Sequence, residues 1–141
     1  MTKKVIVAGV GMIPFKKPGA SENYNVMGEK AARAALEDAG LDYKLVQQAY
    51  VGYVYGDSTA GQAALYGVGL SGIPIFNVNN YCSTGSSALF LARQAVQSGT
   101  IDCAIALGFE QMTPGALDIL FEDRPNPCLL YTSPSPRDLA V

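Results

Sequence analysis

Cys82 lies in the stretch NVNNYCSTGSSALFLARQAV, between a short apolar run and a longer one rich in small residues. If the first run is a strand, the second a helix and residues 79–81 the turn between them, the sulfur stands at the N-terminus of a helix. Unpaired backbone N–H groups and the helix dipole favour a thiolate there, and the same N–H groups can steady the oxyanion of a thioester under attack. Gly85, Ser86 and Ser87 leave the next turn free of bulk, so an acyl group can approach the sulfur closely. Ser83 and Thr84 are candidate helix caps. These residue types fit an acyl-accepting nucleophile. They also fit a small apolar residue packed in a core, the common condition of an intracellular free cysteine, and spacing alone leaves both readings open. The chain has no histidine to serve as base.

The other cysteines add no second chemistry. Three cysteines in 141 residues, odd in number and widely spaced without histidine, favour neither a disulfide framework nor a zinc site. Cys103 sits inside an apolar strand pattern and reads as core. The composition, 49% hydrophobic and 16% charged, suits one domain with a real core. With a net charge of −2 and both signs interspersed, no basic face tracks phosphates, which argues against nucleic acid as a partner. No apolar run approaches the ~18 residues of a membrane span, and the N-terminal residues lack a clear cleavage site. The chain is expected to be soluble and intracellular.

The elements that must position Cys82 alternate along the chain. Residues 5–10, VIVAGV, form a continuous apolar run of the kind found in a strand covered on both faces. Gly9 and Gly11 invite comparison with a dinucleotide-binding fingerprint, but Pro14 occupies the place of the third glycine and no helix opens there. Residues 24–39 carry Met27, Ala31, Ala34 and Ala35 at helical spacing, with Glu29, Arg33 and Glu37 four apart on the outer face. Ser21 or Asn23 is a possible cap and Gly40 the stop. Residues 49–55 read as a strand, 59–69 as a short buried helix, 73–78 as a strand, 83–97 as a helix stopped by Gly99, and 102–108 as a fourth strand. Such alternation predicts an α/β fold, a mostly parallel sheet with right-handed crossovers and helices on both faces. No internal repeat and no low-complexity tract interrupts it.

NVNNYCSTGSSALFLARQAVQSG followed by CAIALGFEQMTPG resembles the nucleophile region of the thiolases, most closely the sterol-carrier-protein-X type. VIVAGVGMIPFKKPG and VGYVYGDSTAGQAALYGVGLSGIPIFNVNN are similar to the same subfamily, so the resemblance spans Val5 to about Asn126. It implies the first, incomplete half of the duplicated thiolase fold over residues 1–126, with Cys82 as the catalytic, acyl-accepting cysteine. It further implies thiolysis of fatty or branched 3-oxoacyl-CoA in lipid oxidation, acyl-CoA and coenzyme A as substrates, no tightly bound cofactor and no metal. A homodimer is implied for the full-length protein, and a peroxisomal location. Gly108 to Met112 match the family's segment after the fourth strand, where Glu110 reads as well as a capping carboxylate as a chemical group. Tyr81 departs from the Asn or small residue of the family at that place.

The family draws its base histidine, a second cysteine and a second oxyanion hole from its C-terminal half, so this chain is expected not to complete a thiolytic cycle alone. Four of the eight prolines crowd into the end of the chain. Within it, residues 127–141 have neither period, and CLLYTSPSPRD resembles the translation of an adapter or vector read-through. Cys128 falls there and has no assigned role. Two other readings remain: a ketoacyl-synthase-type condensing enzyme, which shares the cysteine turn, and a non-enzymatic lipid-carrier or interaction protein of thiolase fold, for which the missing histidine speaks.

Overall fold

The computed structural model describes residues 4–113 and 121–124. Three helices and three strands alternate: α1 (Tyr24–Ala39), β1 (Gln48–Gly52), α2 (Ala60–Val68), β2 (Ile75–Val78), α3 (Thr84–Gln97) and β3 (Ala104–Gly108), with one 3-10 turn at Tyr43–Leu45. α1 is alanine-rich, and it ends where Gly40 turns to φ 62°. The Gly40 amide then reaches the Glu37 carbonyl and the Leu41 amide the Leu36 carbonyl, each at 3.0 Å, which closes the last turn as a Schellman motif.

The sheet runs β2-β1-β3 with both pairs parallel, and Tyr50 of β1 stands in register with Phe76 on one side and Ala106 on the other. β1 is therefore the central strand, and its side chains are divided between two cores. Ala49 and Val51 pack with Ala32 of α1, Ala60, Ala64 and Leu65 of α2, and Ile105 and Leu107 of β3. Tyr50 faces the opposite way, onto Ala88 and Ala92 of α3. Helices thus cover both faces, as the alternation predicts. The chain moves from β1 to β2 over one face and from β2 back past β1 to β3 over the other. Reversing both direction and face gives the two crossovers the same hand.

The expected strand at residues 5–10 is not formed. Ile6, Val7 and Val10 are 72%, 73% and 68% exposed, and the segment runs beside α1 instead of joining the sheet. Gly9 and Gly11 lie so close to the α1 backbone at Ala31, Ala35 and Ala39 that no side chain fits between, and the Val10 amide donates to Asp38 Oδ2 at 2.8 Å. An apolar β-rich run becomes a strand only if a ladder edge accepts it, and here two glycines let it settle on a helix. The remaining strands are shorter than expected. β1 stops at Gly52 rather than Tyr55 because the Val54 and Tyr55 amides bind a side chain, described below, in place of a neighbouring strand.

On the outer face of α1, Arg33 pairs with Glu29 at 2.8 Å, and its Nη2 donates to the Gly67 carbonyl at 2.6 Å. α1 is thereby tied to the end of α2. Asn23 holds the N-cap position of α1, but neither it nor Ser21 caps the helix: the Tyr24 amide donates to Gln111 Oε1 at 2.8 Å.

Candidate functional site

The carboxyl ends of all three strands meet at one edge of the sheet, the end at which open parallel α/β folds gather their chemistry. There the chain leaves β2 at Val78 and enters α3 at Thr84 through a turn that is wired almost entirely by asparagines. Asn79 Oδ1 accepts from the Tyr81 amide at 3.3 Å, and Tyr81 takes a left-handed conformation at φ 49°. The Asn80 carbonyl accepts from both the Ser83 amide (3.1 Å) and the Ser83 hydroxyl (2.8 Å), while Asn80 Nδ2 donates to Ser87 Oγ at 2.9 Å. Asn80 therefore fastens the turn to the first turn of α3. Ser83 is the N-cap residue but spends its hydroxyl backwards on Asn80, and Thr84 is buried, so neither serves as the side-chain cap that the residue types suggest.

The seat beneath this turn is Gly52, the last residue of β1. A Cβ there would come within 2.5 Å of the Thr84 carbonyl carbon and oxygen and 2.9 Å from the Gly85 nitrogen. Only glycine allows the start of α3 to sit directly on the end of the central strand. From the other side Gly108, the last residue of β3, lies against Gly85, with 3.7 Å between its would-be Cβ and Gly85 Cα. Outward from Gly85 there is open space.

Cys82 sits on the outside of the turn and is exposed. That disposes of the reading of this residue as a packed core cysteine. Cys103 has the opposite surroundings: it is partly buried against the larger core, and burial pushes its thiol pKa up. Two depressions lie near the same edge. One, of about 280 Å³, is lined by Tyr53, Asp57, Ser58, Asn77 and Asn79 among others. The second, of about 370 Å³, lies between residues 11–18, α1 and the end of β3. Cys82 lines neither and is exposed on a hydrogen-bonded turn.

Glu110 and Gln111 have roles that their sequence pattern leaves undecided. Glu110 accepts from the Val54 amide through Oε2 (2.9 Å) and from the Tyr55 amide through Oε1 (2.8 Å), so both oxygens hold the loop that follows β1. Gln111 caps α1, and Phe109 stacks on Tyr24 and Tyr53 with ring centroids 5.3 and 5.2 Å apart. Glu110 is a capping carboxylate. Asn77 does similar service for α2, accepting from the Gly61 amide at 2.8 Å and donating to Gln62 at 2.8 Å. Cys128 and residues 127–141 lie outside the described residues.

Residues 5–119 match the family described as Thiolase, N-terminal domain. The chain is 56% identical over 129 residues to sterol carrier protein 2 of Gallus gallus, covering 90% of this chain and 24% of that protein. It is 37% identical over 115 residues to a benzoylsuccinyl-CoA thiolase subunit of Thauera aromatica, covering 80% of this chain and 29% of that one. Among solved structures, the priming β-ketosynthase of the R1128 polyketide pathway superposes with a TM-score of 0.60 at 28% identity, over 64% of this chain and 28% of that chain. The chain thus spans about a quarter of the length of the curated relatives it matches.

Proposed function

The chain belongs to the thiolase family through its N-terminal domain, and on that premise we propose that Cys82 is the residue that accepts an acyl group from a coenzyme A thioester. The observation that carries this reading is the position of the sulfur: exposed, on a turn held by Asn79 and Asn80, directly ahead of a helix seated on the end of the central strand. The Cys82 sulfur attacks the thioester carbonyl, the carbonyl carbon–sulfur bond to coenzyme A breaks, and coenzyme A leaves with its sulfur protonated. Unpaired amides at the start of α3 would be the donors to the oxyanion. In thiolysis the acyl donor is a 3-oxoacyl-CoA: the Cys82 sulfur attacks its C3 carbonyl, the C2–C3 bond breaks, acetyl-CoA leaves with its C2 carbon taking up a proton, and a free coenzyme A thiol then takes the shortened acyl group from Cys82 and returns the cysteine to its thiol. A relative named peroxisomal 3-ketoacyl-CoA thiolase, from Encephalitozoon cuniculi and 30% identical over 87 residues, supports a 3-oxoacyl-CoA substrate and a peroxisomal setting, while fatty or branched chains and a homodimer of the full-length protein are what the family resemblance implies. With no histidine in these residues, the base for rapid turnover comes from outside them.

Mixing the chain with acetyl-CoA should release coenzyme A in a slow phase limited to one equivalent per chain, and Cys82→Ser should release none. Equal release by the serine variant would remove Cys82 from the reaction. A second reading, a condensing enzyme, is favoured by the superposition on a ketosynthase. Cleavage of 3-oxoacyl-CoA by the full-length protein in the presence of coenzyme A separates the two, since only a thiolase performs it. A lipid-carrier role draws on the sterol-carrier name of the relative and predicts binding of lipid with no acylation at all.

A further inference from the structure

Among the described residues, two that are not glycine take a left-handed backbone, Thr59 at φ 65° and Tyr81 at φ 49°. Such a conformation crowds the Cβ of an L-residue against the following carbonyl, and an aromatic residue adopts it only where its surroundings impose it. At Tyr81 they do so from both ends. Its amide donates to Asn79 Oδ1 at 3.3 Å, and its carbonyl accepts from the Thr84 amide at 3.1 Å. Thr84 cannot follow a shift, because it is buried and rests on Gly52 at the end of the central strand. Asn80 is fixed as well: its carbonyl holds Ser83 and its Nδ2 holds Ser87. The residue of this turn that bears the steric cost is therefore the one immediately before the exposed Cys82.

From this juxtaposition we infer that Tyr81 is a positioning residue, whose left-handed backbone turns the chain so that Cys82 faces outward ahead of α3, where a thioester can reach it. The inference rests on the reading of Cys82 given above and adds to it a residue that acts through the cysteine. What the position demands is a backbone conformation and not a phenol ring. Asparagine visits the left-handed region readily, whereas valine, branched at Cβ, is strongly disfavoured there. The two substitutions therefore separate backbone from side chain: Tyr81→Asn keeps the turn, and Tyr81→Val forces it open. A displacement of about 1 Å is enough to slow a positioned reaction by ~100-fold.

The test compares the parent with Tyr81→Asn and Tyr81→Val in single-turnover acylation, read as coenzyme A release over a range of acetyl-CoA concentrations. Circular dichroism establishes that each variant is folded. The asparagine variant is expected to acylate within about twofold of the parent and to unfold at a higher urea concentration, since the steric cost is relieved. The valine variant is expected to acylate at least tenfold more slowly at saturating acetyl-CoA, with the half-saturating concentration unchanged. Its alkylation by iodoacetamide, a small reagent that approaches an exposed thiol from any side, should match the parent's, a split that a general loss of stability does not produce. Asn79→Ala, which releases the Tyr81 amide, is expected to slow acylation in the same way and takes the place of the valine variant if that one does not fold. Parent-like acylation in the variant with the opened turn, or an equal loss in Tyr81→Asn, overturns the inference. Hydrogen exchange of the Thr84 amide, which the Tyr81 carbonyl holds, keeps this result apart from the fate of Cys82. If the parent releases no coenzyme A, the reading of Cys82 fails; Thr84 protection kept in Tyr81→Asn and lost in the opened variant then still supports Tyr81 as the residue that sets the turn, and equal protection in all of them overturns it.

Discussion

Two thiols in one small fold show how surroundings decide reactivity. Cys82 is exposed on a turn, whereas Cys103 is packed at the side of the larger core, where burial disfavours its charged form and raises its pKa. At mildly alkaline pH, iodoacetamide should therefore modify Cys103 far more slowly in the native chain than in urea, as read by peptide mass spectrometry. Equal rates would place Cys103 outside the core. The linkage has a definite sign: a thiol whose folded pKa lies above its unfolded one stabilises the fold below the ordinary thiol range and loses that contribution as pH rises through the folded value. Stability should fall above that range and fall less in Cys103→Val. The residues around Cys82 left both a nucleophile and a packed core residue open, and its exposure was not legible in them. A strand-turn-helix pattern with small residues is compatible with a sulfur pointing either way, and the asparagine bonds that settle the turn are made by side chains within hydrogen-bond reach only after folding.

At the scale of elements, the start of α3 depends on Gly52. Gly52→Ala puts a methyl group against the Thr84 carbonyl, which is backbone and cannot rotate away, so a loss of about 1–3 kcal/mol is expected in urea unfolding. A shift of the Cys82 turn should accompany it and appear as slower acylation. A loss below about 0.5 kcal/mol would show that α3 is not seated on β1 as described. Glu110→Ala should cost about 2 kcal/mol, because two backbone amides lose a charged acceptor, and Glu110→Gln, which keeps one acceptor, should cost less. Equal stability of parent and alanine variant would contradict the clamp. The helices and the parallel order were readable from periodicity: α1 runs over residues 24–39 as expected and stops at Gly40. The clamps were not, since Glu110 meets residues 55 and 56 positions away and Gln111 one 87 positions away. The run at residues 5–10 failed for a related reason. Its continuous apolar run predicts a covered strand, whereas in the folded molecule Gly9 and Gly11 lie against α1 and Ile6, Val7 and Val10 stay exposed.

At the scale of the molecule, the described residues form a three-stranded parallel sheet covered on both faces, which brings the turn that carries the exposed Cys82 and two depressions to its carboxyl edge. Among the described residues no helix is long and apolar enough to cross a membrane. α3 presents Leu89 and Phe90 outward at 56% and 60% exposure, although its inner face is fully packed. On the proposed reading Cys82 accepts the acyl group, while the sequence contains no histidine to act as base. An acyl-enzyme that forms and is not turned over is the expected behaviour of such an assembly. The direct measurement is peptide mass spectrometry after incubation of the chain with acetyl-CoA, followed by digestion at a pH that preserves thioesters. The account predicts an acetyl increment confined to the peptide carrying Cys82, absent from the Cys82→Ser protein. An unmodified Cys82 peptide, or acetylation divided equally between Cys82 and Cys103, would contradict it.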